Sequence, residues 1–333
     1  MSMRESINKI CGVILAAGYG TRMRPLTDTI PKPLVPVMGR VLLEIILSKM
    51  ARSGAGGIHA NIHHLADSFN QTAFEPGVPL KFHFEQEILG TGGGIGNMGP
   101  DIGENDLILI HNSDIISNVE FLPAIDFHLQ KNALFTMILL ADRLGRTGPG
   151  AKRLPPPSVH ISDSAEVLRI GPDPSRGGNV LGYTGMAVVS AEALSYFPAG
   201  RKAGLVDILR RMIRERAGSV AGYDASEHNR DAVWAETGTP EGYLDLHSRI
   251  LLEGIEFDRE LKPPPLPLHV AEGAKIGRDT RWKGFLEVGE GAVVGRNSVL
   301  ENCVIFPQTV LESGTEAEYS IFFPGGILKA GTV

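Results

Sequence analysis

From Ile276 onward, apolar residues recur every six positions: Ile276, Trp282, Val288, Val294, Leu300 and Phe306, with Gly277, Gly289 and Gly295 directly after three of them. A six-residue period marks a parallel β-helix. Each short side of its triangular coil turns one apolar residue inward. Roughly 60 residues follow the start of the pattern, enough for about three coils of about 18 residues each. The period weakens after Phe306.

Upstream, the pattern is different. Gly12–Ala17 is a short apolar run ending in glycines. Ile58–Ile62, Leu80–Phe84, Leu107–Ile110 and Leu134–Leu140 read as strands, the last two so continuously apolar that both faces must be covered. Apolar positions 42, 43, 46, 47 and 50 predict a helix over Val41–Met50 that Gly54 can stop, and Val206–Ile213 predicts another. This alternation argues for an α/β fold: an open, mostly parallel sheet with helices on both faces. Glu260–Leu268 holds Pro263, Pro264, Pro265 and Pro267 and reads as a linker, and Arg146–Ser158 reads as a loop. The expected organisation is a catalytic unit over 1–258, a Pro-rich linker over 259–268 and a β-helix over 269–333.

Composition narrows the function. The 333-residue chain carries a net charge of −6, so a broad nucleic-acid-binding surface is not expected, and an anionic substrate needs a local cationic site. Its two cysteines, Cys11 and Cys303, form neither a disulfide framework nor a metal cluster. No apolar run reaches the length of a bilayer span, and Met1–Lys9 is polar, unlike a signal peptide. The expectation is a cytoplasmic protein without a membrane partner.

The densest chemistry lies near the N-terminus, in Leu15-Ala16-Ala17-Gly18-Tyr19-Gly20-Thr21-Arg22-Met23-Arg24-Pro25-Leu26-Thr27, followed by Pro31-Lys32-Pro33-Leu34. A strand runs into a glycine turn whose backbone N–H groups can form a nest for phosphate oxygens. Arg22 can grip phosphate in a bidentate way, and Lys32 adds a compact charge between two prolines. Met23 stands where a dinucleotide fingerprint needs its third glycine, and no Gly-Lys-Ser/Thr of a P-loop is present.

This string resembles the signature of the sugar-1-phosphate nucleotidyltransferases. Further stretches continue the likeness across about residues 10–250: Leu89-Gly90-Thr91-Gly92-Gly93-Gly94-Ile95, His111-Asn112-Ser113-Asp114, Gly182-Tyr183-Thr184-Gly185-Met186 and Trp234-Ala235-Glu236-Thr237-Gly238-Thr239-Pro240-Glu241. A C-terminal left-handed β-helix is also common there, notably among mannose-1-phosphate guanylyltransferases. The resemblance implies a Rossmann-like sheet and transfer of a nucleoside monophosphate to a sugar 1-phosphate, with release of pyrophosphate. It places Leu15, Ala16, Ala17, Gly18, Gly20, Thr21, Glu85, Gly90, Thr91 and Gly92 around the nucleotide. Asn112, Thr184 and Gly185 fall near the sugar. Arg22, Lys32 and Asp114 become the catalytic residues, and Asp114 with Glu236 the ligands of Mg²⁺.

Two departures stand out. Relatives usually have Asp where this chain has Glu236. Many also carry a Glu-Lys-Pro motif whose lysine holds the sugar phosphate, where this chain reads Val167-Leu168-Arg169-Ile170-Gly171-Pro172. Lys152, Arg153, Arg169 and Arg176 are the candidate substitutes, Lys152 foremost. Glu85 can accept two hydrogen bonds from guanine, which favours GTP. Mannose 1-phosphate or a related hexose or heptose phosphate is the expected acceptor, with uridylyl and thymidylyl transfer as alternatives. A non-catalytic nucleotide-sugar-binding subunit is the competing class, motivated by the missing lysine. His63, His64 and His111 read as structural rather than metal-binding. With only His269 at its start, the β-helix reads as a scaffold or a homo-oligomer surface rather than an acyltransferase.

Overall fold

The computed structural model describes residues 9–141, 158–171 and 179–331. Strand β1 (Ile10–Leu15) opens the chain, and a small hairpin, β2 (Pro36–Val37) with β3 (Arg40–Val41), leads into α1 (Leu42–Arg52). There follow β4 (Ile58–Ile62), α2 (Ala66–Gln71), β5 (Leu80–Phe84), α3 (Gly90–Ile102), β6 (Leu107–Asn112), β7 (Ile115–Ser117), α4 (Phe121–Lys131) and β8 (Phe135–Leu140). The next group is β9 (Ser158–Ile161), β10 (Val167–Ile170), β11 (Asn179–Ser190), α5 (Leu205–Glu215), β12 (Val220–Asp224), α6 (Ala225–His228), β13 (Trp234–Glu236) and α7 (Pro240–Leu251). The strands and the two helices expected from the sequence are all present, with ends moved by a residue or two.

The main sheet has nine strands in the order β10-β9-β11-β6-β1-β4-β5, with β8 on β11 and β12 on β8. Following the pairings, β1, β4, β5, β6, β8, β9 and β12 run one way, and β10 and β11 oppose them. The continuous apolar runs have the reason expected of them. On β6, Leu107 and Leu109 pack with Phe121 and Ile125 of α4, whereas Ile108 and Ile110 pack with residues of α3 and α5 on the other face. Successive strand residues point to opposite faces, so a strand covered twice has no polar position. Each such side chain contributes about 1.5–3 kcal/mol.

Beyond Phe257 and Leu261, both buried, the chain winds into parallel coils. Their strands are β14 (Leu268–Val270), β15 (Lys275–Ile276), β16 (Arg281–Val288), β17 (Val293–Val294), β18 (Val299–Ile305), β19 (Val310–Leu311), β20 (Glu316–Glu318) and β21 (Ser320–Phe323), and β22 (Gly326–Lys329) closes the stack antiparallel to β21. Leu268 pairs with Leu286, and Leu286 with Cys303, so the first turn is one residue longer than the second. The slip occurs where Gly284 and Phe285 oppose the single Asn302, which has φ 51°.

That slip corrects part of the six-residue reading. Ile276, Val288, Val294 and Leu300 do line the coil interior, but Trp282 is 41% exposed. After Asn302 the inward residue is Ile305, stacked on Val288, and Phe306 turns outward against Tyr243 of α7.

The coil meets the sheet unit through a buried polar knot. Glu287 of β16, 2% exposed, lies 2.7 Å from Nε2 of His247 on α7, and its other oxygen accepts from the Gly39 amide at 3.2 Å. Burial alone would raise the Glu287 carboxyl, but His247, with His269 further off, outweighs burial and holds it below its ordinary 4.5. Its stabilisation is therefore complete above that value and disappears as pH falls through the lowered one. Glu287→Ala, which leaves His247 without its carboxylate partner and the Gly39 amide without its acceptor, is expected to lower urea-unfolding stability by about 3 kcal/mol at neutral pH. A loss below about 1 kcal/mol would show instead that desolvation and pairing nearly cancel here.

Candidate active site

Three parallel strands end together. Leu15 of β1 is in register with Asn61 of β4 on one side and with Asn112 of β6 on the other. Ligand sites of open α/β sheets form at this carboxyl edge. Here the edge is a cleft lined by Leu15, Ala16, Ala17, Gly18, Lys32, Pro33, Asn61, Ile88, Gly90, Thr91, Asn112, Ser113 and Asp114.

One charge pair lines it and a second stands beside it. Lys32 Nζ lies 2.6 Å from Asp114 Oδ2, with side chains only 13% and 16% exposed. Arg22 Nη2 lies 2.8 Å from Glu236 Oε1 in a wetter position, 47% and 35% exposed. Burial tends to raise the Asp114 carboxyl, but Lys32 and then Arg22 outweigh it and hold it below the ordinary carboxylate range. Lys32 is placed by a 3₁₀ turn over Lys32–Leu34.

Glu236 reaches Asp114 because β13 pairs with β7, directly after Asp114, with Glu236 opposite Ile115. Thr237 then locks the contact: its amide and hydroxyl both donate to the Asp114 carbonyl. Thr239 caps α7, its hydroxyl accepting from the Gly242 amide at 3.1 Å. Between the pairs stands Gly238. A Cβ there would lie 2.7 Å from Arg22 Nη2, 3.1 Å from Glu236 Oε1 and 3.2 Å from Asp114 Oδ2. Two hard carboxylate donors thus border one cradle that only glycine leaves open. Among the described residues no three His, Cys, Asp or Glu side chains group as metal ligands. Two carboxylates, completed by phosphate oxygens and water, suit Mg²⁺ and not a metal that needs a full protein cage.

The second glycine loop has a packing reason. Gly90 and Thr91 line the cleft, but a Cβ on Gly93 would sit 2.3 Å from the Arg201 carbonyl, and one on Gly92 would sit 2.4 Å from Ile208. Gly92 thus serves the approach of the 201–208 segment to α3, and its side is closed to a nucleotide. The Thr91 hydroxyl accepts from the Leu205 amide at the start of α5.

Other expected residues find different work. Glu85 is buried, with Oε1 accepting from Asn61 Nδ2 at 2.7 Å and Oε2 from the Leu89 amide at 2.9 Å. It stands in the wall rather than as an open acceptor for a base. Thr184 is fully buried; its hydroxyl donates to the Ile138 carbonyl and its own carbonyl accepts from Trp234 Nε1. That side chain is unavailable to a sugar, whereas Gly185, with φ 84°, abuts Asn112. Gly20 and Thr21 continue the first loop to Arg22 outside the cleft lining. His111 is buried and pushed down to about 4 by burial, so it is neutral, bonding the Asn112 carbonyl through Nδ1. Lys152, Arg153 and Arg176 lie outside the described residues, and Arg169 is on the outer strand β10. Asn61 carries no signal in the sequence, and Ser113 and Gly238 lie within the family-like strings without an expected role of their own.

Fold and site together define a nucleotide-handling α/β enzyme with a phosphate loop, paired cations and a two-carboxylate cradle. Residues 11–146 match the family model described as nucleotidyl transferase. The chain is similar to the mannose-1-phosphate guanylyltransferase of Mycobacterium tuberculosis, 28% identical over 93% of this chain and 84% of that one. It is also similar to the UTP–glucose-1-phosphate uridylyltransferase of Synechocystis, 25% identical over 95% and 85%. Among solved structures, a Bacillus anthracis protein described as a glucose-1-phosphate thymidylyltransferase superposes with a TM-score of 0.59 at 19% identity, covering 76% of this chain and 98% of that one. No helix among the described residues is long and apolar enough to cross a membrane.

Gly238→Ala is expected to leave the fold intact and reduce nucleotidyl transfer at least about 100-fold, because its methyl fills the space between the charge pairs. Near-normal turnover in that variant would show that the cradle plays no part.

Proposed function

We propose that this protein transfers a nucleoside monophosphate from a nucleoside triphosphate to a sugar 1-phosphate, with GTP and mannose 1-phosphate, or a related hexose or heptose phosphate, as the preferred pair. The observation that carries this reading is the convergence of Lys32, Asp114, Arg22 and Glu236 beside the 15–18 loop. The preference for guanylyl transfer rests on the Mycobacterium tuberculosis relative and on the C-terminal coil. The Synechocystis relative, nearly as similar over as much of the chain, favours uridylyl transfer as the second reading.

The reaction follows from charge. A phosphate oxygen of the sugar 1-phosphate attacks the α-phosphorus, the bond to the bridging oxygen of the β-phosphate breaks, and pyrophosphate leaves. The nucleophile is already anionic, so no general base is needed, and catalysis is positioning and electrostatics. The Ala16 amide is taken up by Asn61 Oδ1 at 2.9 Å, so the phosphate nest begins with the amides of Ala17 and Gly18. Arg22 holds the leaving β- and γ-phosphates. Lys32 shifts from Asp114 to the α-phosphate as charge builds there. Asp114 and Glu236, released from their cations, are the residues that would hold Mg²⁺. When bound, that ion neutralises phosphate charge and orients the reacting oxygens.

Exchange of partners makes the four groups one unit. Residues 1–258 act as the catalytic unit, 259–268 as the linker and 269–333 as a scaffold suited to pairing with a second copy. Set against this, a purely regulatory subunit has no need of two cations poised over two carboxylates.

A pyrophosphate-release screen with Mg²⁺ tests the proposal, crossing GTP, UTP, dTTP, ATP and CTP with mannose, glucose, N-acetylglucosamine and heptose 1-phosphates. Turnover is expected to be best with GTP and mannose 1-phosphate and to fall about 100- to 1,000-fold in Lys32→Gln, the scale for loss of one preorganised electrostatic contact. Silence across the grid with retained nucleotide binding would move the reading to a binding subunit. Turnover only with UTP would select the second reading.

A further inference from the structure

The exit of β4 reads Asn61-Ile62-His63-His64, and three of these side chains reach the same loop at three separate points. Asn61 Oδ1 accepts from the Ala16 amide at 2.9 Å, where the loop begins. His63 Nε2 is 3.0 Å from the Tyr19 hydroxyl, at its tip. His64 Nε2 is 2.7 Å from the Thr27 carbonyl, where it ends. Behind them stands one residue, Glu85: its Oε1 accepts from Asn61 Nδ2, its Oε2 from the Leu89 amide, and its backbone carbonyl lies 2.7 Å from His63 Nδ1.

The hydrogen bonds fix the protons. A carbonyl only accepts, so His63 carries its proton on Nδ1 toward Glu85, and its Nε2 accepts from Tyr19. By the same reasoning His64 carries its proton on Nε2 toward Thr27. Adjacent histidines thus hold opposite tautomers, each dictated by its own partner.

We propose that Asn61, His63 and His64 are positioning residues for the nucleotidyl transfer proposed above. They bracket the 16–27 loop and, through Glu85, tie it to the second glycine loop at Leu89. The loop needs such a bracket. Met23 and Leu26 anchor the loop in the core, but Arg22 is half exposed and held by Glu236, and the hydrogen bonds within the turn, from the Met23 amide and the Thr27 hydroxyl to the Gly20 carbonyl, do not reach the sheet. A loop free to drift by an ångström loses much of what a preorganised phosphate nest supplies.

The test separates positioning from bulk stability by rescue. His64→Ala is expected to lower kcat/KM for the nucleoside triphosphate about 10-fold or more while leaving KM for the sugar phosphate within about 2-fold. His64→Gln, whose amide nitrogen reaches the place of Nε2 and donates as it does, is expected to return to within about 3-fold of the parent. His64→Asn, one methylene shorter, is not. Equal losses in all three variants, or no loss in any, would overturn the bracket. A readout independent of turnover keeps this apart from the proposed reaction. In the unmodified protein the Ala16 amide is expected to be protected from hydrogen exchange. Asn61→Ala should remove that protection and leave the β1 interior unchanged. If no substrate pair turns over but Ala16 behaves so, the function fails and the bracket stands. An Ala16 amide that exchanges freely in the unmodified protein sinks the bracket whatever the activity.

Discussion

The site depends on a charge balance. Arg22 and Lys32 bring two positive charges, Asp114 and Glu236 two negative ones, and each cation rests against one carboxylate. Lys32 and Asp114 are mostly withdrawn from water, where an unpaired charge would cost several kcal/mol and a pair comes close to breaking even. Such a pair is weak evidence for stability, but it lets a half-dry site hold strong charges before its substrate arrives. In the proposed reaction a triphosphate would offer the cations a better partner, and the carboxylates would then be free for a divalent ion. In the reaction proposed above, the same groups would therefore be mutually compensating when the cleft is empty and catalytic when it is full.

Much of this was legible in the sequence, for a local reason. The glycine turn, the proline-flanked lysine and the aspartate at a strand end are contiguous strings, and contiguity fixes geometry over a few residues. Lys32, Asp114, Arg22 and Glu236 accordingly meet. What escaped notice lies in sheet register: Asn61 stands 45 positions from Ala16 and becomes its partner only because β4 pairs beside β1. Glu85 and Thr184 failed differently. Their positions along the chain fit a ligand-facing role, but the bonds that turn Glu85 into the wall and Thr184 onto the Ile138 carbonyl are made by residues distant in sequence.

The coil shows how a periodic pattern succeeds and then slips. Ile276, Val288, Val294 and Leu300 keep the six-residue phase and fill the interior. One unmatched residue at Gly284–Phe285 changes the length of a turn, and beyond Asn302 the phase moves by one. Phe306 then serves the junction with α7 instead of the coil. A period counted along the chain cannot reveal an opposing-strand bulge, because the bulge is a property of two strands at once.

That junction gives the coil a part in placing Lys32 and the residues around it. Tyr243, its ring tilted against His247 on α7, donates to the Pro36 carbonyl, and Glu287 of the coil accepts from the Gly39 amide. Both contacts fall on the hairpin that directly follows Lys32-Pro33-Leu34. One wall of the cleft is therefore supported through α7 and the coil, and the opposite wall through Glu85 and the exit of β4. The loop between them contributes charge and amides, and anchors itself through Met23 and Leu26 in the core. Its placement also depends on what holds it on either side, so the 15–34 string suggests the proposed chemistry but does not by itself account for the geometry around it.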